Sequence, residues 1–269
     1  MDIVIGNTSQ LSYYFPEDFM KISSRNINYD LYKYQKFGSV YIAFAEQRVF
    51  NLSLKEKDFF DINVNLTSKI IDFFSKISEK VIVYGTAELW NNYNGAIDMN
   101  MEFNYKYSPY IKSKEELYNV LMQNRSDNKW NNVKIIHPFN FNSLKRKQGF
   151  LFYKIFDSII NEKKTNVGCL DINRDLIHPK YLVEISKNTN KDCIVGSGNL
   201  INIKDFISDI FSQFGKDYRN YIIEDINEYS QHKGNEFWLN TENKYNDLLK
   251  DTLIDIKKIM KENERNKVS

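Results

Sequence analysis

The chain has 269 residues, 42% of them hydrophobic, enough for one sizeable domain or for a domain of nucleotide-binding size with a smaller lobe attached. Lys and Arg number 37 against 35 Asp and Glu, so the net charge of +2 supplies no general attraction to nucleic acid or to an anionic membrane. Only Cys169 and Cys193 occur, at no metal-ligand spacing, which points to a reducing, cytoplasmic setting with idle thiols, no disulfide framework and no metal site.

The opening MDIVIGNTSQ runs straight into a strand pattern without a basic region, a long apolar region or a small-residue cleavage site, so no secretion signal is expected. No stretch approaches the roughly 20 apolar residues of a membrane-spanning helix. Asp2 to Ile5 is the first predicted strand, and Phe19 to Ile22 the second, followed by Ser23, Ser24 and Arg25. Further strand-length apolar runs lie at Ser39 to Phe44, Lys80 to Tyr84, Val133 to Pro138 and Cys193 to Val195. Between them, Val64 to Ile77 sets Leu66, Ile70, Ile71, Phe73, Phe74 and Ile77 at helical spacing, and Ser113 to Gln123 does the same with Leu117, Val120 and Leu121. The triplets Asn51-Leu52-Ser53 and Asn65-Leu66-Thr67 match a glycosylation pattern, a chance event in so Asn-rich a chain.

Strand and helix alternate. That alternation predicts an α/β fold, a Rossmann-like parallel sheet with its first strand central, helices on both faces and ligands beyond the carboxyl ends of the strands. After Pro138 the alternation weakens. Helices are expected at Gly149 to Ile160, Lys204 to Phe214 and Lys244 to Met260, in a smaller mixed lobe whose boundary with the sheet is interleaved, and the polar tail Lys261 to Ser269 is expected to fray.

Tyr110-Ile-Lys-Ser-Lys114 opens a helix, so Tyr110 and Lys114 lie one turn apart on one face. An ammonium beside a phenol stabilises the phenolate and makes it usable for proton transfer near neutral pH. In a chain with 18 Tyr, such a pair alone would carry little weight. Upstream, Gly85-Thr-Ala-Glu-Leu-Trp90 follows the strand Lys80 to Tyr84, where a parallel sheet places its reactive loop. Thr86 and Glu88 set a hydroxyl and a carboxylate there; taken singly they read as a helix cap and a solvated acid.

Together these segments resemble the extended short-chain dehydrogenase/reductase (epimerase/dehydratase) family, most closely its GDP-mannose 4,6-dehydratase branch. Gly85-Thr-Ala-Glu-Leu-Trp90 is similar to that branch's Ser-Thr-Ser-Glu-Leu-Tyr, and Ser108-Pro-Tyr-Ile-Lys-Ser-Lys114 to its Ser-Pro-Tyr-x-x-x-Lys. Phe139-Asn-Phe-Asn-Ser143, with Lys145, Arg146 and Gly149-Phe150, resembles its Phe-Asn-His-Glu-Ser-Pro-Arg-Arg-Gly. Gly168-Cys-Leu-Asp-Ile-Asn-Arg-Asp-Leu-Ile-His178 and Tyr181-Leu-Val-Glu184 follow in the same order as its Gly-Asn-Leu-Asp-x-x-Arg-Asp-x-x-His and Tyr-Val-Glu.

The resemblance implies residues 1–138 as a dinucleotide-binding Rossmann domain and 139–269 as a substrate-binding lobe. It implies Thr86, Glu88, Tyr110 and Lys114 as catalytic residues. Tyr110 would take the proton of a sugar 4-hydroxyl, Thr86 would hydrogen-bond the same oxygen, and Lys114 would hold Tyr110 and the nicotinamide ribose. Glu88 would be the base at C5 and the acid toward a departing 6-hydroxyl. Asn140 and Arg174 would meet a nucleotide-diphosphate sugar, with Lys145 and Arg146 adding positive charge; a salt bridge to Asp175 or another acid is the structural alternative for Arg174. His137 and His178 read as satisfied structural histidines.

The chain departs from the family at the dinucleotide fingerprint. Gly-x-x-Gly-x-x-Gly is represented by Gly6, Ser9 and Ser12, so Gly6, Ser9, Gln10 and Leu11 would line the cofactor. No acid follows the second strand. Arg25 stands there and suits a 2′-phosphate, which favours NADP over NAD. The implied function is a nucleotide-sugar 4,6-dehydratase of surface polysaccharide biosynthesis, with a 4-keto-sugar reductase or epimerase as alternative and a non-catalytic nucleotide-binding protein as a third reading. Its partners would be a nucleotide-diphosphate sugar, no nucleic acid and no membrane, with a homodimer left open.

Overall fold

Six apolar runs pair edge to edge as a parallel sheet in the computed structural model, which describes residues 1–49, 51, 53–143, 145–146, 148–225 and 234–268, with side chains to 265. Leu52 of the first glycosylation-like triplet lies outside the described residues. The chain divides into two units, the first being Met1–Asn92, Met99–Phe139 and Lys180–Val195, the second Tyr93–Asp98, Asn140–Pro179 and Gly196–Ser269.

Numbered along the whole chain, the strands of the first unit are β1 (Ile3–Ile5), β2 (Met20–Ile22), β3 (Phe37–Ile42), β4 (Ser78–Tyr84), β6 (Val133–Pro138) and β10 (Cys193–Val195). They stand in the order β2-β1-β3-β4-β6-β10, every pair parallel. Each coincides with a run expected to be a strand, and the fold is the Rossmann-like one expected. The first strand is not central, however. It is second from the edge, because the stretch from β1 to β3 holds, besides the two three-residue 3-10 turns Ser12–Tyr14 and Tyr29–Leu31, a single short strand, β2, to lie outside it.

Alternate strand residues explain why the runs read as continuously apolar: both faces are covered. Ile3, Ile5, Val40, Ile42, Val81, Val83, Val133 and Ile135 pack with Ile70, Ile71 and Phe74 of α2 (Thr67–Phe74) and with Leu117 and Leu121 of α3 (Pro109–Ser126). Burying one such side chain stabilises by roughly 1.5–3 kcal/mol. A turn of π-helix, Asp61–Leu66, joins α1 (Glu56–Phe60) to α2. On the opposite face Tyr84 donates its hydroxyl hydrogen to Ser186 Oγ of α5 (Pro179–Asn188), a helix absent from the sequence expectations.

The second unit holds short strand pairs. β5 (Gly95–Ile97) pairs with β13 (Phe237–Leu239), β8 (Thr165–Val167) with β12 (Ile222–Glu224), and β9 (Asn173–Ile177) with both β7 (Asn140–Phe141) and β11 (Leu200–Asn202). Its helices are α4 (Leu151–Asn161), α6 (Ile203–Ser212) and α7 (Leu248–Val268), at the three expected places. The tail expected to fray continues α7 as far as Val268, since Lys, Glu, Met and Arg favour helix and neither Gly nor Pro interrupts them. Among the described residues no helix is long and apolar enough to cross a membrane.

Candidate active site

At the carboxyl end of β4 the ladder with β6 continues through Gly85, whose N–H donates to Ile136 O at 2.7 Å. Pro138 has no N–H with which to extend it. Thr86 is extended (φ −161°, ψ 143°) and caps the 3-10 turn Ala87–Trp90, its Oγ1 accepting the Glu88 N–H at 3.2 Å. Leu89 and Trp90 are buried and anchor the turn, and Trp90 Nε1 donates to Met101 O at 3.0 Å. Thr86 is itself buried, whereas Glu88 is half-buried and its Oε2 accepts from Asn91 Nδ2 at 3.0 Å.

α3 begins where it does because Ser108 Oγ accepts the Ile111 N–H and Pro109 supplies a helical φ without a missing donor. Tyr110 is half-buried in its first turn; Lys114, one turn on, is 3% exposed. Lys114 Nζ donates to Tyr84 O at 2.7 Å, which ties the amine to the end of β4. Burial lowers its pKa to about 7, so its charge is not fixed but titrates near neutrality.

Two residues that the sequence reading did not assign to the site belong to its scaffold. Asn63, buried in the π-turn, holds both backbone groups of Glu46 and donates to Ser113 Oγ at 2.9 Å, and Ser113 Oγ donates to Tyr110 O at 2.7 Å. The available signal was a polar residue seven positions before Ile70, on the buried stripe of the helix. The second is His137 of β6, completely buried, with Nδ1 3.4 Å from Thr86 N and 3.3 Å from Thr86 O. It is not a fully satisfied histidine. Nε2 has no hydrogen-bond partner, and burial lowers the ring's pKa to about 4.

At the ends of β1 and β2 the construction is lighter. Gly6 has φ +107°, and a Cβ there would stand 3.0 Å from Phe44 Cβ, so the turn needs glycine. The Gly6 and Asn7 amides both donate to Ile22 O, at 2.8 and 3.0 Å, and the Ser9 amide to Gly6 O at 2.8 Å. Ser9 Oγ accepts the Ser12 N–H at 3.1 Å. The amides of Thr8, Gln10 and Leu11 donate to no group among the described residues. These donors and the small side chains fit an anionic diphosphate. The 3-10 turn that follows has three residues, so no helix dipole reinforces them. Arg25 is exposed just past β2, with its N–H donating to Ser23 Oγ.

The remaining candidates lie in the second unit. Asn140 is exposed on β7 opposite Leu176 of β9, two residues from Arg174. Arg174 Nη1 donates to Asn173 O at 2.7 Å, and the guanidinium has no acidic partner among the described residues. Asp175 is not that partner. Its buried carboxylate accepts from Ser197 N, Ser197 Oγ, Gly198 N and Leu239 N, a structural knot in the middle of β9. Arg146 lies 3.8 Å from the centroid of the Phe150 ring, Lys145 is exposed, and His178 Nε2 meets Asp255 Oδ2 at 3.2 Å. Among the described residues no group of three or more His, Cys, Asp or Glu is placed to hold a metal ion.

The sequence matches no family model and no curated protein sequence. Solved structures resemble it in fold. Those similar to it include the structure of RMD from Pseudomonas aeruginosa complexed with NADPH, 14% identical over 96% of this chain and 99% of that one, with a TM-score of 0.75. The UDP-N-acetylglucosamine 4-epimerase of Methanobrevibacter ruminantium M1, in complex with UDP-N-acetylmuramic acid, is 12% identical over 97% and 98% of the two chains, TM-score 0.77. The dTDP-glucose 4,6-dehydratase of Bacillus anthracis, in complex with NAD, is 14% identical over 96% and 97%, TM-score 0.71. At such identities the likeness is one of fold.

Proposed function

We propose that this chain is a nicotinamide-dependent enzyme acting on a nucleotide-linked sugar, and more narrowly a nucleotide-sugar 4,6-dehydratase. One observation carries the reading: Lys114, one turn beyond Tyr110, is buried with its Nζ docked on Tyr84 O at the end of β4, two residues before Thr86, whose Oγ1 caps the turn that carries Glu88. Nucleotide-sugar enzymes among the solved structures of similar fold, some with bound NAD, support the general type.

The Gly6 loop, with the free amides of Gln10 and Leu11, would hold the dinucleotide, and Arg25 its 2′-phosphate. When bound, the nicotinamide supplies hydride acceptance and return. The chain does the rest. Tyr110 takes the proton of the sugar 4-hydroxyl, while Thr86, whose Oγ1 already accepts the Glu88 N–H, directs its own O–H hydrogen to that oxygen. Glu88 takes the C5 proton and delivers a proton to the departing C6 hydroxyl, so that water leaves a 4-keto-5,6-ene, and return of the hydride to C6 with a proton to C5 would complete the 4-keto-6-deoxy sugar. In the second unit Asn140 and Arg174, with Lys145 and Arg146, would engage the nucleotide-sugar. Because Glu88 is engaged by Asn91, a reductase or epimerase needing only Thr86, Tyr110 and Lys114 stands as the second reading.

Given dinucleotide and a nucleotide-hexose, the protein should form a 4-keto-6-deoxy product with no net consumption of dinucleotide, and Glu88→Gln should stop this while both ligands still bind. If Glu88→Gln instead turns over a 4-keto sugar at the expense of NADPH, the enzyme is a reductase. Failure to bind either dinucleotide would overturn the enzymatic reading altogether.

A further inference from the structure

We infer that His137 is a positioning residue for Thr86, holding the backbone of that residue so that its hydroxyl leaves the end of β4 in one orientation; the inference rests on the role proposed above for Thr86. The β4–β6 ladder stops at the Gly85 N–H because the next residue on β6 able to pair would be Pro138. Beyond that point a side chain replaces the strand. His137 Nδ1 faces the N–H and C=O of Thr86 together, at 3.4 and 3.3 Å, occupying the edge a neighbouring strand would have filled. One tautomer accepts from the amide and the other donates to the carbonyl, and either restrains the same residue.

The ring reaches that position only because residue 85 is glycine. A Cβ there would fall 2.4 Å from Nδ1 and 2.7 Å from Cε1. Trp90 meets the ring edge-on at 5.3 Å and 86°, with Tyr118 at 5.9 Å and Phe103 at 6.2 Å, so it has no room to turn away. A nitrogen left without a partner in such a cage is destabilising. An apolar side chain of similar size would avoid that cost, and what it would lose is the contact at Nδ1. Lys114 and Asp192 are the charged groups that act on the ring, and burial keeps it neutral at ordinary pH, so it works by hydrogen bonding.

Asparagine can place an amide at the Nδ1 position, whereas glutamine reaches toward that of Nε2. In the full-length protein, His137→Asn should keep kcat within about threefold and His137→Gln should lower it about tenfold or more, with both KM values changed less than about twofold. The Thr86 amide should exchange its hydrogen about tenfold faster in the Gln variant than in wild type or the Asn variant. Equal kcat losses, a larger loss in the Asn variant, or a defect confined to KM would overturn the inference. Should wild type turn over no nucleotide-sugar, the functional reading fails by itself, and Thr86 exchange decides this one: equal rates in all three proteins would refute it.

Discussion

At the ends of β4 and β6 Thr86, Lys114 and His137 are buried, and the polar groups are tied. Lys114 is held by Tyr84, Thr86 lies between the Glu88 amide and the His137 ring, and Tyr110 is braced through Ser113 and Asn63. At the ends of β1 and β2, on the same sheet edge, a six-residue turn crosses from Gly6 to Leu11, the following helical turn has three residues, and Arg25 projects into solvent. The difference follows from what each end would do. Proton transfer depends on desolvated groups held to a fraction of an ångström, while an extended anion can be held by scattered donors in a small-residue turn. On the proposed function, the end that would bind the dinucleotide can do without glycines and a helix, whereas the end that would react could not.

The largest expected effect tests what the buried end costs. Lys114 has a folded pKa of about 7. Its unfolded value is about 10.4, so between these the unfolded chain binds more protons and stability rises with pH. Below about pH 7 the full penalty applies. Lys114→Met should be more stable than wild type by about 3 kcal/mol at pH 7, about 4 from the charge less about 1 for the lost bond to Tyr84 O, and inactive. Near pH 10 the advantage should vanish. Urea unfolding at the two pH values measures this, and a difference independent of pH would mean that Lys114 is not desolvated.

Next is a pair of glycines, one from each end. Gly85→Ala drives a methyl group into the caged His137 ring and should cost about 2–3 kcal/mol. Gly6→Ala meets strain at φ +107° and a 3.0 Å approach to Phe44, with an expected cost nearer 1–2 kcal/mol. Reversal of that order in thermal unfolding would break the comparison. The smallest effect lies at the exposed end. Arg25→Ala should weaken NADPH binding about tenfold, leaving NADH affinity and melting temperature unchanged, and equal loss for both dinucleotides in titration calorimetry would remove Arg25 as the phosphate reader.

Much of this was legible beforehand. The six strands of the parallel sheet were each a short apolar run, because strands buried on both faces need no polar alternation. Helix α3 was visible from Leu117 and Leu121, and the spacing of Tyr110 and Lys114 on it required nothing beyond the helical repeat. α5 was missed: Tyr181, Leu182, Val183 and Ile185 mix β-branched and apolar residues over too short a span to separate helix from strand. β1 is expected in the centre of the sheet and stands next to its edge, because the stretch before β3 supplies only one further strand, β2.

The sequence by itself determined the local periods, the helix cap at Ser108, and which residues carry hydroxyl, carboxyl, phenol and amine, since these depend on neighbours within a few positions. Tertiary structure alone decided strand order, the depth at which Lys114 sits, and the contacts that join Asn63 to Ser113 and His137 to Thr86 across about fifty residues each. A pKa and a fixed peptide orientation are set by how much water is excluded and by what stands opposite in space. Those are properties of packing between distant segments, and no short stretch of the chain contains them.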